Sequence, residues 1–129
     1  MKRLIVKTQK KKEIIDITND IQKEIRIGEG ICSISVLHTT AALTLADLDP
    51  GTDLDMLDAF EAMMPRLAYR HPHNPAHVTD HIMSSIIGAS ITIPVSENHL
   101  VLGSWQRVVL VELDGPRTRE IVITTLESK

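Results

Sequence analysis

Apolar and polar positions change their rhythm several times along the chain, and each change marks an element. Leu4 to Lys7 and Glu13 to Ile17 are short apolar runs set between charged residues, which predicts two short strands. The next stretch, TNDIQKEIRIGEG, shifts to helical spacing. Ile21 and Ile25 fall four apart, Thr18 or Asn19 can cap, and Gly28 can terminate. Gly30 to Leu37 and Ala42 to Leu45 return to strand patterns on either side of the polar break HTTA. DPGTDLDMLDAFEAMMP predicts a helix from near Thr52, with Thr52 and Asp55 at the spacing of a capping box. Leu54, Leu57 and Phe60 follow helical spacing there, and Pro65 closes the run. A second helix is predicted from about Pro75 to Ile87, ended by Gly88. Beyond it SITIPV, HLVLGSWQ, RVVLVEL and REIVITTL are rich in β-branched residues and are separated by the turn signals SEN and DGPR.

Strands, a pair of helices and then more strands predict an α+β protein with a mainly antiparallel sheet. The number of strands calls for a second layer, as in a sandwich. No repeat or low-complexity linker divides the chain, so residues 1–129 are expected to form one domain. Composition narrows this further. Phe60, Tyr69 and Trp105 are the only aromatics, so the core must come from Ile, Val, Leu and Met, and base stacking on aromatic platforms has almost no material. A formal charge of −3 argues against a general binder of phosphate backbones, so no nucleic acid partner is expected. The basic run Lys7 to Lys12, KTQKKK, reads as a solvated edge or turn. Cys32 is the only cysteine. It excludes an internal disulfide, suits a reducing compartment, and within GICSISVLH reads as a small buried strand residue. No apolar run approaches the ~18 residues of a membrane span, and MKRLIVKTQKKK is not a signal peptide, so a cytoplasmic protein with no membrane partner is expected.

Candidate chemistry centres on histidine. Four of the six histidines, His71, His73, His77 and His81, fall between Tyr69 and Ser90. On a helix His77 and His81 share a face continued by Ser84 and Gly88, beside an apolar stripe of Val78, Ile82 and Ile86. The imidazoles are thus expected at the rim of the core, where partial burial tunes a catalytic or ligating group. HVTDH resembles the H-x-x-E-H pattern of inverted zinc proteases, with Asp80 as base, but Asp is shorter than Glu and the chain is small for a peptide cleft. Other polar groups accompany the histidines. His38, Thr39 and Thr40 end a buried strand, Asp47 and Asp49 precede a helix, Gln106 follows the only Trp, and Arg117 and Arg119 lead into a strand. Each has a bland explanation in strand-end polarity, helix capping, edge hydrogen bonding or solvated charge. Together in one small domain they resemble a site.

The same residues carry a family resemblance. HTTAALT, DP before a carboxylate-rich helix, YRH, DHIMSSIIGAS, IPV and LVLGSWQRVVLVELDGPRTRE stand in the order typical of the YjbQ-like family, whose members are described as secondary thiamine-phosphate synthases. The resemblance runs over nearly the whole chain from about residue 30. It implies an α+β fold of antiparallel strands with helices packed on one side, assembled as a homotrimer. It also implies site histidines at His38, His71 and His81, and polar site positions at Thr39, Thr40, Asp49, Ser84, Gln106, Arg117 and Arg119. The chain departs from the family pattern in its shorter LADLDP link, with Asp47 in the acidic place, and around Asn74 and His77.

Thiamine-phosphate synthesis joins a pyrimidine carried on pyrophosphate to a thiazole phosphate. Arg117 and Arg119, one residue apart and so on one face of a strand, are expected to clamp phosphate oxygens, and Asp47 and Asp49 to suit Mg²⁺. The imidazoles instead favour Zn²⁺ on His38, His71 and His81, with His77 as a fourth ligand or behind the ligands. Three readings stand on this sequence: a thiamine-phosphate synthase-like transferase, a metal-dependent hydrolase or lyase of a small phosphorylated substrate, and a metal- or ligand-binding trimer without turnover.

Overall fold

The computed structural model describes residues 1–71 and 77–129. His73 and Asn74, and the start of the second predicted helix, lie outside those residues. The elements run β1 (Lys2–Lys7), β2 (Glu13–Asp16), α1 (Thr18–Gln22), β3 (Gly30–Val36), β4 (Ala41–Ala46), α2 (Thr52–Met63), α3 (Val78–Ile87), β5 (Ser90–Ser96), β6 (His99–Leu100), β7 (Arg107–Glu112) and β8 (Thr118–Glu127). The strands form a five-stranded sheet in the order β1-β8-β3-β5-β6 and a three-stranded sheet in the order β2-β7-β4, and every pairing is antiparallel. The protein is therefore α+β, as the alternation of the sequence predicts.

Two apolar clusters fix the layers. Cys32, Ile34, Ile93, Ile121 and Ile123 from the larger sheet pack against Ala41, Leu43, Val108 and Leu110 from the smaller one. On the other face of the smaller sheet, Ala42, Val109 and Val111 meet Met83 of α3 and Leu57 and Phe60 of α2. Strand β7 is thus covered on both faces, which explains its unbroken apolar run. Cys32 is a buried free thiol, pushed up to about 11 by burial, as expected of a strand-core residue and unsuited to a nucleophile.

Several local expectations need correcting. The predicted first helix stops at Gln22, not Gly28. The Gln22 side chain turns away to donate to the Asn98 carbonyl and accept from the Leu100 amide, so Ile25 reaches the core from a turn. Neither Thr18 nor Asn19 is the side-chain cap. Asp16 accepts from the Thr18 amide at 3.0 Å instead. Thr52 and Asp55 form no capping box either: α2 starts at Gly51, whose φ of 90° favours glycine, and the Thr52 amide donates to the Asp49 carbonyl. HLVLGSWQ yields only the two-residue β6, because the Gln106 side chain accepts from the Gly103 amide and folds the rest into a turn. Among the described residues no helix is long and apolar enough to cross a membrane.

Three connections cross from one sheet to the other at the same end of the sandwich: β1 to β2, β3 to β4, and β7 to β8. They are tied together closely. Thr8 donates its hydroxyl to Glu112 at 2.6 Å and accepts the Arg117 amide at 2.8 Å, and the Gly115 amide donates to the Lys11 carbonyl at 2.9 Å. A Cβ at Gly115 would stand 2.3 Å from the Lys10 carbonyl oxygen, so only glycine allows this approach.

Candidate functional site

At that end lies a cavity of about 420 Å³, lined by Leu37 to Thr40 from the β3–β4 turn, His77 and His81 from α3, and Asp114, Arg117 and Arg119 around the β7–β8 turn. Six residues singled out in the sequence beyond His81 therefore meet in one place: His38, Thr39, Thr40, His77, Arg117 and Arg119. Spacing explains the helical contribution, since His77 and His81 stand one turn apart on one face. His71 joins them through its ring, stacked on that of His81 with centroids 5.1 Å apart and 22° between planes.

The histidines differ in state. The Glu120 amide donates to His38 Nε2 at 3.0 Å, which puts the His38 proton on Nδ1. Burial, reinforced by the positive charge of Arg119, holds His38 below the usual histidine value, so it is neutral. His77 Nδ1 lies 3.2 Å from Asp114 Oδ2. Asp114 is buried and also receives Lys11 Nζ and Arg117 Nη2, the latter at 2.9 Å. Burial alone would raise its carboxyl. The hydrogen bonds from Lys11 and Arg117 outweigh burial and hold it below the ordinary range, so it remains a carboxylate. An ionised Asp114 on Nδ1 leaves His77 Nε2 as the nitrogen able to exchange a proton. Asp114 is the site residue that sequence reasoning passed over. DGPR was read as a turn, and what marked Asp114 was its place just beyond the apolar run Val108–Val111 of β7.

The two arginines part company. Arg117, half-exposed, donates Nε and Nη2 to the Asp114 carbonyl and carboxylate. Arg119 is 1% exposed. Its Nε donates to both Glu112 oxygens at 3.0 and 3.1 Å, and its Nη2 to Glu112 and to Thr40. The expected two-arginine clamp is thus corrected: the Arg119 fork already holds a carboxylate, and this buried pair bridges the two sheets. Thr40 is drawn into the same network, while Ser84 is buried and donates its hydroxyl to the Ala41 carbonyl at 2.6 Å, which anchors α3 to β4.

The basic run also needs correcting. Lys11 and Lys12 are not simply solvated: Lys12 Nζ lies 2.8 Å from Asp80, and Lys11 pairs with Asp114. Asp80 is held by those lysines, which opposes a protease-like base at that position. Asp47, Asp49 and Gln106 lie elsewhere. In the β4–β7 register Ala41 pairs with Glu112 and Ala46 with Arg107, so residues 47–49 and 106 sit at the opposite end of β7, about 17 Å away along the strand.

The donor set was tested for a metal. Among the described residues no group of three or more His, Cys, Asp or Glu side chains is placed to hold one. His38 Nε2 is engaged as an acceptor, its Nδ1 carries the proton, and the His71 and His81 rings lie face to face. As placed, these groups do not fit a tetrahedral centre.

Comparisons with known proteins match this architecture. Residues 2–128 match the family described as UPF0047 protein YjbQ-like. A UPF0047 protein of Archaeoglobus fulgidus is 34% identical, covering 95% of this chain and 98% of its own, and UPF0047 protein YugU of Bacillus subtilis is 37% identical, covering 95% and 96%. The crystal structure of a YbjQ-like protein from Sulfolobus solfataricus P2 superposes with a TM-score of 0.90 at 33% identity, over 98% of this chain and 96% of that one.

Proposed function

The chain belongs to the YjbQ-like UPF0047 family, and from that premise we propose that its histidine-lined cavity binds a small phosphorylated molecule and acts on it as a transferase. One observation carries this reading. His38, His77, His81, Thr39 and Arg117 converge on a cavity whose carboxylate, Asp114, is already neutralised by Lys11 and Arg117. Such a wall offers hydrogen-bond donors and no unpaired carboxylate, and an anion complements it. His77 takes or gives the proton through Nε2, Asp114 positions it, and Arg117 stabilises negative charge on a departing phosphate or pyrophosphate.

The family resemblance supplies the substrates to try first, a pyrimidine pyrophosphate and a thiazole phosphate. Product should form with the purified protein and fall at least about 100-fold in His77→Ala and in Arg117→Ala. No turnover of this pair or of simple phosphate esters, with phosphate binding intact, would move the protein to the non-catalytic reading. Zinc is a second proposal, supported by His38, His77 and His81 facing one cavity with His71 beside His81. It requires the rings to rearrange, and it stands if added Zn²⁺ raises the rate and a chelator abolishes it. A homotrimer in the cytoplasm belongs to the same proposal. The nearly uncharged outer face of the larger sheet and the lone buried thiol of Cys32 support it.

A further inference from the structure

The histidine cavity is not the only hollow at His77. A second one, of about 740 Å³, lies against the same residue and has Leu57, Phe60, Met64, Met83 and Leu113 in its walls. Among the described residues His77 is the single one lining both, and Asp114 of the histidine cavity contacts His77 and Lys11 of the larger one. The larger hollow lies between α2, the segment that follows it, α3 and the β1–β2 connection. Its volume falls within the roughly 300–1,000 Å³ of small-molecule sites.

Two features suit it to hydrocarbon. Met83 and Leu113 are almost completely buried, yet none of the twelve residues of α2 is, so Leu57 and Phe60 face this space without being closed over by the core. Its lysines are paired, Lys12 with Asp80 at 2.8 Å and Lys11 with Asp114 and Asp80, and the other charged residues in its walls, Glu61 and Arg66, are exposed, so an apolar occupant strands no buried ion.

We propose that this hollow holds the apolar body of the ligand whose phosphate occupies the histidine cavity, with His77 where the two parts meet. The inference rests on the anion-binding reading above. It assigns the ligand to organic phosphates whose body has a hydrocarbon-like face set against Leu57, Phe60, Met64 and Met83.

Calorimetric titration with inorganic phosphate and with methyl, butyl and hexyl phosphate tests it. Affinity should rise about fourfold for each methylene buried, so hexyl phosphate should bind at least about 100-fold more tightly than methyl phosphate. Phe60→Ala should lose about tenfold or more of that gain while keeping the wild-type affinity for methyl phosphate, which also reports an intact fold. If Phe60→Ala does not fold, Met64→Ala at the end of α2 reads the same quantity. Binding of phosphate and methyl phosphate with no gain along the series would overturn this inference and leave the anion reading standing. A gain untouched in both variants would place the body elsewhere and overturn it too. No binding of any phosphate would remove both readings together.

Discussion

Arg117 and Arg119 stand two positions apart in the sequence, yet they stand in opposite environments. Arg119 follows the inward alternation of Ile121 and Ile123 on β8, all three buried, so its side chain enters the gap between the sheets and meets Glu112. Removing it leaves a buried carboxylate without its partner. Arg119→Met is expected to cost about 3–5 kcal/mol in urea unfolding, and a loss below about 1 kcal/mol would refute the bridging role. Arg117→Ala should change stability by less than about 1 kcal/mol, because its ion pair is partly exposed, while phosphate affinity falls at least about tenfold. The alternation that places Arg119 on the Ile121–Ile123 stripe was present in REIVITTL, but a charged residue there reads as a functional group until its buried partner is known. His38 makes a separate prediction. Its folded value lies below the ordinary 6.5, so its contribution to stability is complete above pH 6.5 and is lost as pH falls below it toward the folded value. A proton-resolved NMR titration should place the His38 midpoint below 6.5, and a midpoint above it would mean that burial and the charge of Arg119 do not govern the ring.

Among the elements, strands were more legible than helix ends. β3 and β5 match their alternating runs closely, because one face of each is sealed in the core and the period of two follows directly. The first helix was overextended because Ile25 keeps helical spacing although the chain has already turned, and the contact that turns it, Gln22 with Asn98 and Leu100, spans more than seventy residues. No local pattern can report such a bond. The end of β7 carries the element-scale prediction. Burial would raise the Glu112 carboxyl, but hydrogen bonds from Arg119 and Thr8 outweigh it, and Asp114 is likewise held low by Lys11 and Arg117. Depressed carboxyls contribute stability that is fully present above their ordinary values, 4.5 for Glu112 and 3.8 for Asp114, and is lost as pH falls through the folded values. Beyond the loss at His38 below pH 6.5, these carboxyls should leave thermal midpoints unchanged down to about pH 5 and make them drop steeply below 4.5. Double substitution of Glu112→Gln with Arg119→Met should flatten that drop, and an unchanged acid limb would locate the acid sensitivity elsewhere.

The whole molecule separates residues that the sequence suggested as one site. His38, His77, His81 and Arg117 stand at the end where chains cross between sheets, whereas Asp49 and Gln106 stand at the far end of β7. That division could not be read from the sequence, since strand register decides which loops share an end. A single chain cannot close the gap; only a neighbouring copy in the proposed trimer would do so. The outer face of the larger sheet favours one: Ile31, Ser33, Ser35, Leu37, Val122, Thr124 and Leu126 carry no charge, and Leu126 is 66% exposed. Only the Arg3–Glu120 pair and Lys7 break the pattern, toward the β1 edge. Burying such a face in a closed ring satisfies both its apolar atoms and its edges. The family resemblance implies three chains, so light scattering should give three at micromolar concentration, and Val122→Arg, at the cross-strand pair with Ser35, should reduce the mass toward one. If the two ends also meet across that ring, inactive His77→Ala and inactive Gln106→Ala proteins should complement each other when unfolded and refolded together. Random mixing would then make about a quarter of the junctions fully native in side chains, and activity should return to about that fraction of wild type. No recovery, in a mixture that scatters as three chains, would confine the chemistry to the histidine end of each chain and return Gln106 to its turn with Gly103.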